Sequence, residues 1–135
     1  MDLIFPDNGL VFQLEQILNA TVKYRLFTNN ITPSLSDTVS TYTEAVFSGY
    51  APVSQTFSNF TLNGVTGHNG YALAAPINFT NSSGSSVNVY GYFVTDTTGT
   101  ILLAAARFDS APVAIPGGGS TQVVPTWGDF SQLTS

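Results

Sequence analysis

His68 is the only histidine in the chain, and it stands in Thr66-Gly67-His68-Asn69-Gly70. An imidazole there could act as a general base or a metal ligand. Glycines on both sides instead fit an exposed turn residue. Two carboxylates could form a glycosidase pair, yet nothing in the spacing of Glu44, Asp96, Asp109 and Asp129 marks a couple, and such enzymes ordinarily use a longer, groove-bearing scaffold. Serines are plentiful, but none sits in a Gly-x-Ser-x-Gly elbow, so a Ser-His-Asp triad could only be assembled by arbitrary choice. Metal-ligand spacings such as His-x-x-x-His or Asp-x-Asp-x-Asp-Gly do not occur, and Asp37 and Glu44 are too far apart in sequence for a compact local site. Gly117 to Gly119 lacks the Lys-Ser/Thr and following helix of a phosphate loop and reads as a flexible turn. The expectation is a protein with no catalytic, cofactor-binding or metal-ligating residues.

Five Asn-x-Ser/Thr triplets begin at Asn19, Asn30, Asn59, Asn78 and Asn81. In a secreted eukaryotic protein they would be glycan acceptors. In a chain this rich in Asn, Ser and Thr they are expected by chance, as solvent-facing positions alternating with apolar ones.

Composition narrows the function further. Charged residues make up 8% of the 135 positions, against roughly a quarter in an average soluble domain, so the polar surface is built from Ser, Thr, Asn, Gln and Gly. With Lys23, Arg25 and Arg107 as the only basic residues and a formal net charge of −5, the chain cannot neutralise a run of phosphates, which argues against nucleic acid and against anionic lipid. No apolar run approaches the roughly 20 residues of a membrane span. Zero cysteines remove disulfides and thiolate chemistry together. The first residues, Met1 to Pro6, show neither a basic n-region nor an apolar h-region, so synthesis and assembly in a cytoplasm are expected.

The elements that would position any site are mostly strands. Leu10, Val11, Leu14, Ile17 and Leu18 form a stripe at helical period after a capping Asp7 or Asn8, predicting one N-terminal helix. From Thr21 the period changes to two, with Val22, Tyr24 and Leu26 opposite Lys23, Arg25 and Phe27, a strand with one wet face. Ser36-Asp37 can cap a short helical turn running through Thr43 to Ala45, and Gly49 to Pro52 breaks it. Val87 to Val94 and Ile101 to Phe108 read as a hairpin across Asp96 to Gly99, both strands central and covered on each side. Pro112 to Ile115 with Thr121 to Pro125 read as an edge pair. The predicted fold is mainly β: an antiparallel β-sandwich or rolled sheet of about six to eight strands with one N-terminal α-helix, in a single domain over 1–135. Its parts are an N-terminal arm and helix at 1–19, a β domain at 20–125 and a C-terminal arm at 126–135.

Ten Phe, six Tyr and Trp127 exceed what one core of this size needs. Leu3, Ile4 and Phe5 precede the helix, while Trp127, Phe130 and Leu133 follow the last strand without a periodic partner. These six are candidate inter-subunit contacts, since apolar anchors on terminal arms either fold home or bury themselves in a neighbour.

Leu26 to Pro33, Thr43 to Ala51, Val89 to Thr95 and Leu102 to Phe108 together resemble a group of small, largely uncharacterised virion-associated proteins of tailed bacteriophages, over about residues 20–125. The resemblance implies a non-enzymatic virion structural protein, of the capsid decoration or cement type, located on the virion and made in the host cytoplasm. Its implied partners are the major capsid protein, other virion subunits and further copies of itself, as a homo-oligomer or lattice-bound copies. It carries over no catalytic residues and no cofactor. A tail- or fibre-associated module binding host-surface glycan through loops such as Gly64 to Gly70 is the alternative, and a small polysaccharide hydrolase the weaker one.

Overall fold

The computed structural model describes residues 21–56, 60–63 and 71–127, with side chains described at 21–56 and 75–125. The expected N-terminal helix and arm, His68, and most of the C-terminal arm lie outside the described residues. What is described is mainly β and antiparallel. In chain order the strands are β1 (Val22–Phe27), β2 (Val53–Gln55), β3 (Phe60–Asn63), β4 (Tyr71–Ala74), β5 (Ile77–Thr80), β6 (Val87–Val89), β7 (Gly91–Thr95), β8 (Leu102–Arg107), β9 (Val113–Ile115), β10 (Ser120–Val123) and β11 (Thr126–Trp127). The chain divides into two compact units. One contains Thr21–Gln55 and Ile77–Gln122. The described part of the other is built around the sheet β11-β4-β3.

The larger unit is organised by a four-stranded sheet in the order β2-β1-β7-β8. Its first strand follows the period-two pattern: Val22, Tyr24 and Leu26 are fully buried on one face, with Lys23 and Arg25 half-buried on the other. The wet-face expectation fails at Phe27, which is also fully buried. Its ring packs 5.0 Å from Tyr42, and Tyr42 stacks 5.1 Å from Phe93. Ile31, Val39, Leu102 and Ala105 close around this cluster. Burying a Phe side chain contributes about 1.5–3 kcal/mol, and each well-placed aromatic pair about 0.5–1.5 more, so residues 31–42 are held against the sheet by their own apolar contacts. That segment is less helical than expected. A 3-10 turn occupies Val39–Thr41, with the Thr38 amide donating to Thr41 Oγ1 at 3.0 Å. Asp37 spends its carboxylate on the Ser34 amide and the Tyr42 hydroxyl, and Glu44 bridges to Phe27 as extended chain.

The expected strand Val87 to Val94 divides at Tyr90, because its halves pair with different sheets. β6 runs antiparallel to β9, with Val87 opposite Ile115. β7 lies between β1 and β8, with Phe93 opposite Arg25 on one side and Ala105 on the other. Tyr90 keeps both main-chain bonds across the change, its amide donating to Phe27 O and its carbonyl accepting from the Phe108 amide, each at 2.9 Å. Gly91 follows because there is no room for a side chain: a Cβ would run into the Ala106 carbonyl and lie 2.7 Å from the Phe27 ring.

Two further expectations are corrected. Pro112 to Ile115 and Thr121 to Pro125 do not pair with each other; β9 pairs with β6, and β10 with β5. Asn81 supplies the reason. It is fully buried, its Nδ2 donates to Ser85 O at 2.8 Å and Ile115 O at 3.0 Å, and its Oδ1 accepts the Ser83 amide and hydroxyl. Its own amide donates to Gly119 O and its carbonyl accepts from Gly118, both at 2.8 Å, so the 115–119 turn is tied to the 81–85 loop. The second correction is β8, which lies at the edge of its sheet and is only half-buried.

Replacing Gly91 by Ala is expected to destabilise the protein by about 1–3 kcal/mol, the usual cost of overpacking a closed site, and to lower its melting temperature in a calorimetric scan. An unchanged midpoint would show that the sheet switch tolerates a side chain.

Candidate interaction site

The β7–β8 hairpin fixes the edge strand. Asp96 N donates to Ile101 O and Gly99 N to Asp96 O, both at 3.2 Å, and Gly99 supplies the left-handed conformation (φ +74°) that the turn requires. The Asp96 carboxylate accepts from the Thr98 hydroxyl, the Ile101 and Thr100 amides and the Thr100 hydroxyl. The Thr98 hydroxyl and then the Ile101 amide hold this carboxyl well below its ordinary value of 3.8. Asp96 is thereby occupied as a turn anchor.

After the turn, Thr95 pairs with Leu102 but Val94 with Ala104, so Leu103 is the extra residue of a β-bulge. Leu102 packs into the cluster that holds Phe93 and Ala105, whereas Leu103 lines the groove described below and is 39% exposed. The bond from Phe108 N to Tyr90 O sets the alternation further along: Ala106 and Ala104 direct their main-chain groups at β7, whereas those of Ala105 and Arg107 point away from it. Among the described residues nothing pairs with that outer side.

Beside the edge runs an open groove of about 450 Å³. Pro33, Leu35, Asp37 and Tyr42 form one side and Leu102 to Ala105 the other. Leu35 is fully exposed at the rim. Tyr42 is nearly buried beneath, its hydroxyl donating to Asp37 Oδ2 at 2.7 Å. Burial, then the hydrogen bond to Asp37, pushes the Tyr42 phenol well above its usual value, so it stays protonated and keeps donating. At the other end of β8, on the same face, Arg107 donates from Nη1 to Ile31 O at 2.9 Å and lies 5.4 Å from the centre of the Tyr90 ring. The site is thus an edge whose outward main-chain donors and acceptors have no partner among the described residues, an apolar trough, a carboxylate near one end and a guanidinium at the other.

A second polar cluster is fully engaged in holding the fold. Arg25 Nη1 lies 3.0 Å from both Glu44 oxygens, and its Nε donates to Thr95 Oγ1 at 3.1 Å. Tyr50 donates its hydroxyl to Glu44 at 2.8 Å and accepts the Leu26 amide at 3.1 Å, just past the point where β2 stops pairing with β1. Burial first, and then Glu44, raises the Tyr50 phenol. Among the described residues no three His, Cys, Asp or Glu side chains come together as a metal site would need.

Of the six residues expected as inter-subunit contacts, Leu3, Ile4, Phe5, Phe130 and Leu133 lie outside the described residues. Trp127 is placed by its backbone, opposite Ala72 of β4, so the last segment does have a strand partner at Thr126 and Trp127. Asn30 and Asn78 of the glycan-type triplets are exposed, whereas the Asn81 amide is consumed internally. Sequence reasoning missed the β8 edge, although its signal was present: Leu102 to Ala106 has no charge to discourage a further strand. No protein family, curated protein or solved structure matches the chain.

Because the Asp96 carboxyl is held below its unfolded value, its contribution to stability is complete above about pH 4 and is lost as the pH falls through the folded value. In urea titrations the stability advantage of the natural protein over Asp96→Asn should shrink as the pH is lowered from about 6 towards 2. A pH-independent difference would contradict the anchoring role.

Proposed function

We propose that this chain is a non-enzymatic structural protein of a tailed-bacteriophage virion, a capsid decoration or cement protein, and that the β8 edge with its groove is a surface through which it assembles. The observation that carries the reading is that edge: outward main-chain groups at Ala105 and Arg107 with no partner strand among the described residues, beside an apolar trough rimmed by Leu35 and Leu103. An edge of this kind is the standard template for strand addition. The resemblance of residues 20–125 to small virion proteins supplies the setting. The engagement of Asp37, Glu44 and Asp96 in holding loops and strands favours a structural role over a catalytic one.

In this reading the partners are the major capsid protein, other virion subunits and further copies of the chain. The antiparallel sheets then belong to a sandwich or rolled sheet that the N-terminal helix covers. Leu3, Ile4, Phe5, Phe130 and Leu133 serve as additional anchors on neighbours. Contacts made by apolar groups and main-chain hydrogen bonds lose less to added salt than a surface held by exposed ion pairs, which suits a particle released into water of varying salinity.

Cryo-electron microscopy of intact particles of the source phage tests the proposal. Density for this chain repeated over the head is the expected result. Confinement to the tail would replace shell binding by host recognition, and absence of the chain from purified particles by mass spectrometry would overturn the structural reading.

A further inference from the structure

The β8 edge has a property that a general docking strand does not need: it is complementary to itself. Ala105 and Arg107 point their main-chain groups outward, so hydrogen-bonded pairing with an identical antiparallel strand is allowed only in registers that match odd positions with odd. One such register has a two-fold axis at Ala105. It sets Ala105 against Ala105 of a second copy and Arg107 against the copy's Leu103. The axis then falls on the smallest side chains of the strand. The two arginines are kept about 14 Å apart along the strands, beyond the screening length at physiological salt.

Charge supports this arrangement. Leu103, Ala105 and Asp37 line the same groove, and Arg107 lies on the same face of β8 as Ala105. Placing Arg107 opposite the copy's Leu103 therefore brings its guanidinium to the groove that holds the copy's Asp37. Arg107 commits Nη1 to Ile31 O and has further N–H donors; Asp37 Oδ2 accepts from Ser34 and Tyr42. The two-fold axis makes the contact twice, once at each end.

The geometry points to a symmetric dimer in which β8 strands of two copies pair edge to edge about Ala105, joining two four-stranded sheets into one of eight strands and clamping each end with Arg107 of one copy and Asp37 of the other. This rests on the reading of β8 as an assembly surface and names its partner. A two-fold contact of this sort is isologous and closes on itself, so it yields a defined building block with no filament.

Sedimentation equilibrium of the full chain, with melting curves recorded in parallel, is the test. The natural protein should pass from monomer to dimer between about 1 µM and 1 mM. Ala105→Pro removes an outward amide without touching the β7 ladder, and should weaken the dimer at least about tenfold while the chain stays folded. Asp37→Lys and Arg107→Glu should each weaken it, and the double variant, which restores opposite charges at both ends, should regain dimerisation. A chain that remains monomeric throughout, or a dimer indifferent to Ala105→Pro, overturns the proposal. If the monomer nevertheless binds purified shells and Ala105→Pro abolishes that binding, the second copy is wrong as partner while the β8 surface stands; if Ala105→Pro changes neither, both fall.

Discussion

The pairing of β1 with β7 is the constraint on which the larger unit depends. It joins segments some 70 residues apart, from Lys23 opposite Thr95 to Phe27 opposite Gly91. Closing so long a loop is entropically unfavourable, and the closure is offset only when the juxtaposed side chains find cover. That cover is specific. The register places Phe27 and Phe93 on one face, where Tyr42 wedges against both, and Val22, Tyr24 and Leu26 on the other, all fully buried. Arg25 adds a polar tie across the same strands, reaching Thr95 on β7 and Glu44 on the segment that follows the 3-10 turn.

The remaining features follow from that pairing. Once β7 lies beside β1, the short Asp96 to Gly99 turn leaves its successor only the far side of β7, so β8 forms the rim of the sheet among the described residues. Tyr90 must then change partners, since β6 belongs with β9, and Gly91 must lack a side chain where Phe27 and Ala106 converge. The bulge at Leu103 adjusts the rim, turning Leu102 into the aromatic cluster while Leu103 stays accessible. The surface proposed to assemble the protein is thus a consequence of how its core closes.

Local pattern made some of this legible from sequence. The alternation in Val22 to Phe27 gave β1 residue by residue, and the Asp96 to Gly99 turn between two apolar runs gave the β7–β8 hairpin. Pairing beyond the hairpin was not legible. Leu102 to Ala106 looks like a strand covered on both faces, because an uncharged run has the same appearance whether the molecule itself or a partner covers it. The alternation puts Phe27 on a wet face because the segment that buries it, residues 31–42, carries Ser, Thr and Asp among its few apolar residues. The partners of β9 and β10 cannot be read from the pattern because Asn81, a residue that reads as loop, directs the 115–119 turn through side-chain and main-chain bonds that leave no periodic trace. As for the site, the terminal aromatics drew attention by composition, whereas the edge strand shows itself only once topology is known.

Amide hydrogen exchange along β8 reads the edge residue by residue, because neighbouring amides serve as each other's control. In dilute solution exchange should be slow at Ala104 and Ala106, whose amides face β7, and fast at Ala105 and Arg107, whose amides face outward; in concentrated protein or in the intact particle, Ala105 and Arg107 should become slow as well. Equal protection at all four positions in dilute solution, unchanged on assembly, would mean that the edge is already covered within the chain, and would contradict the claim that the protein assembles through it.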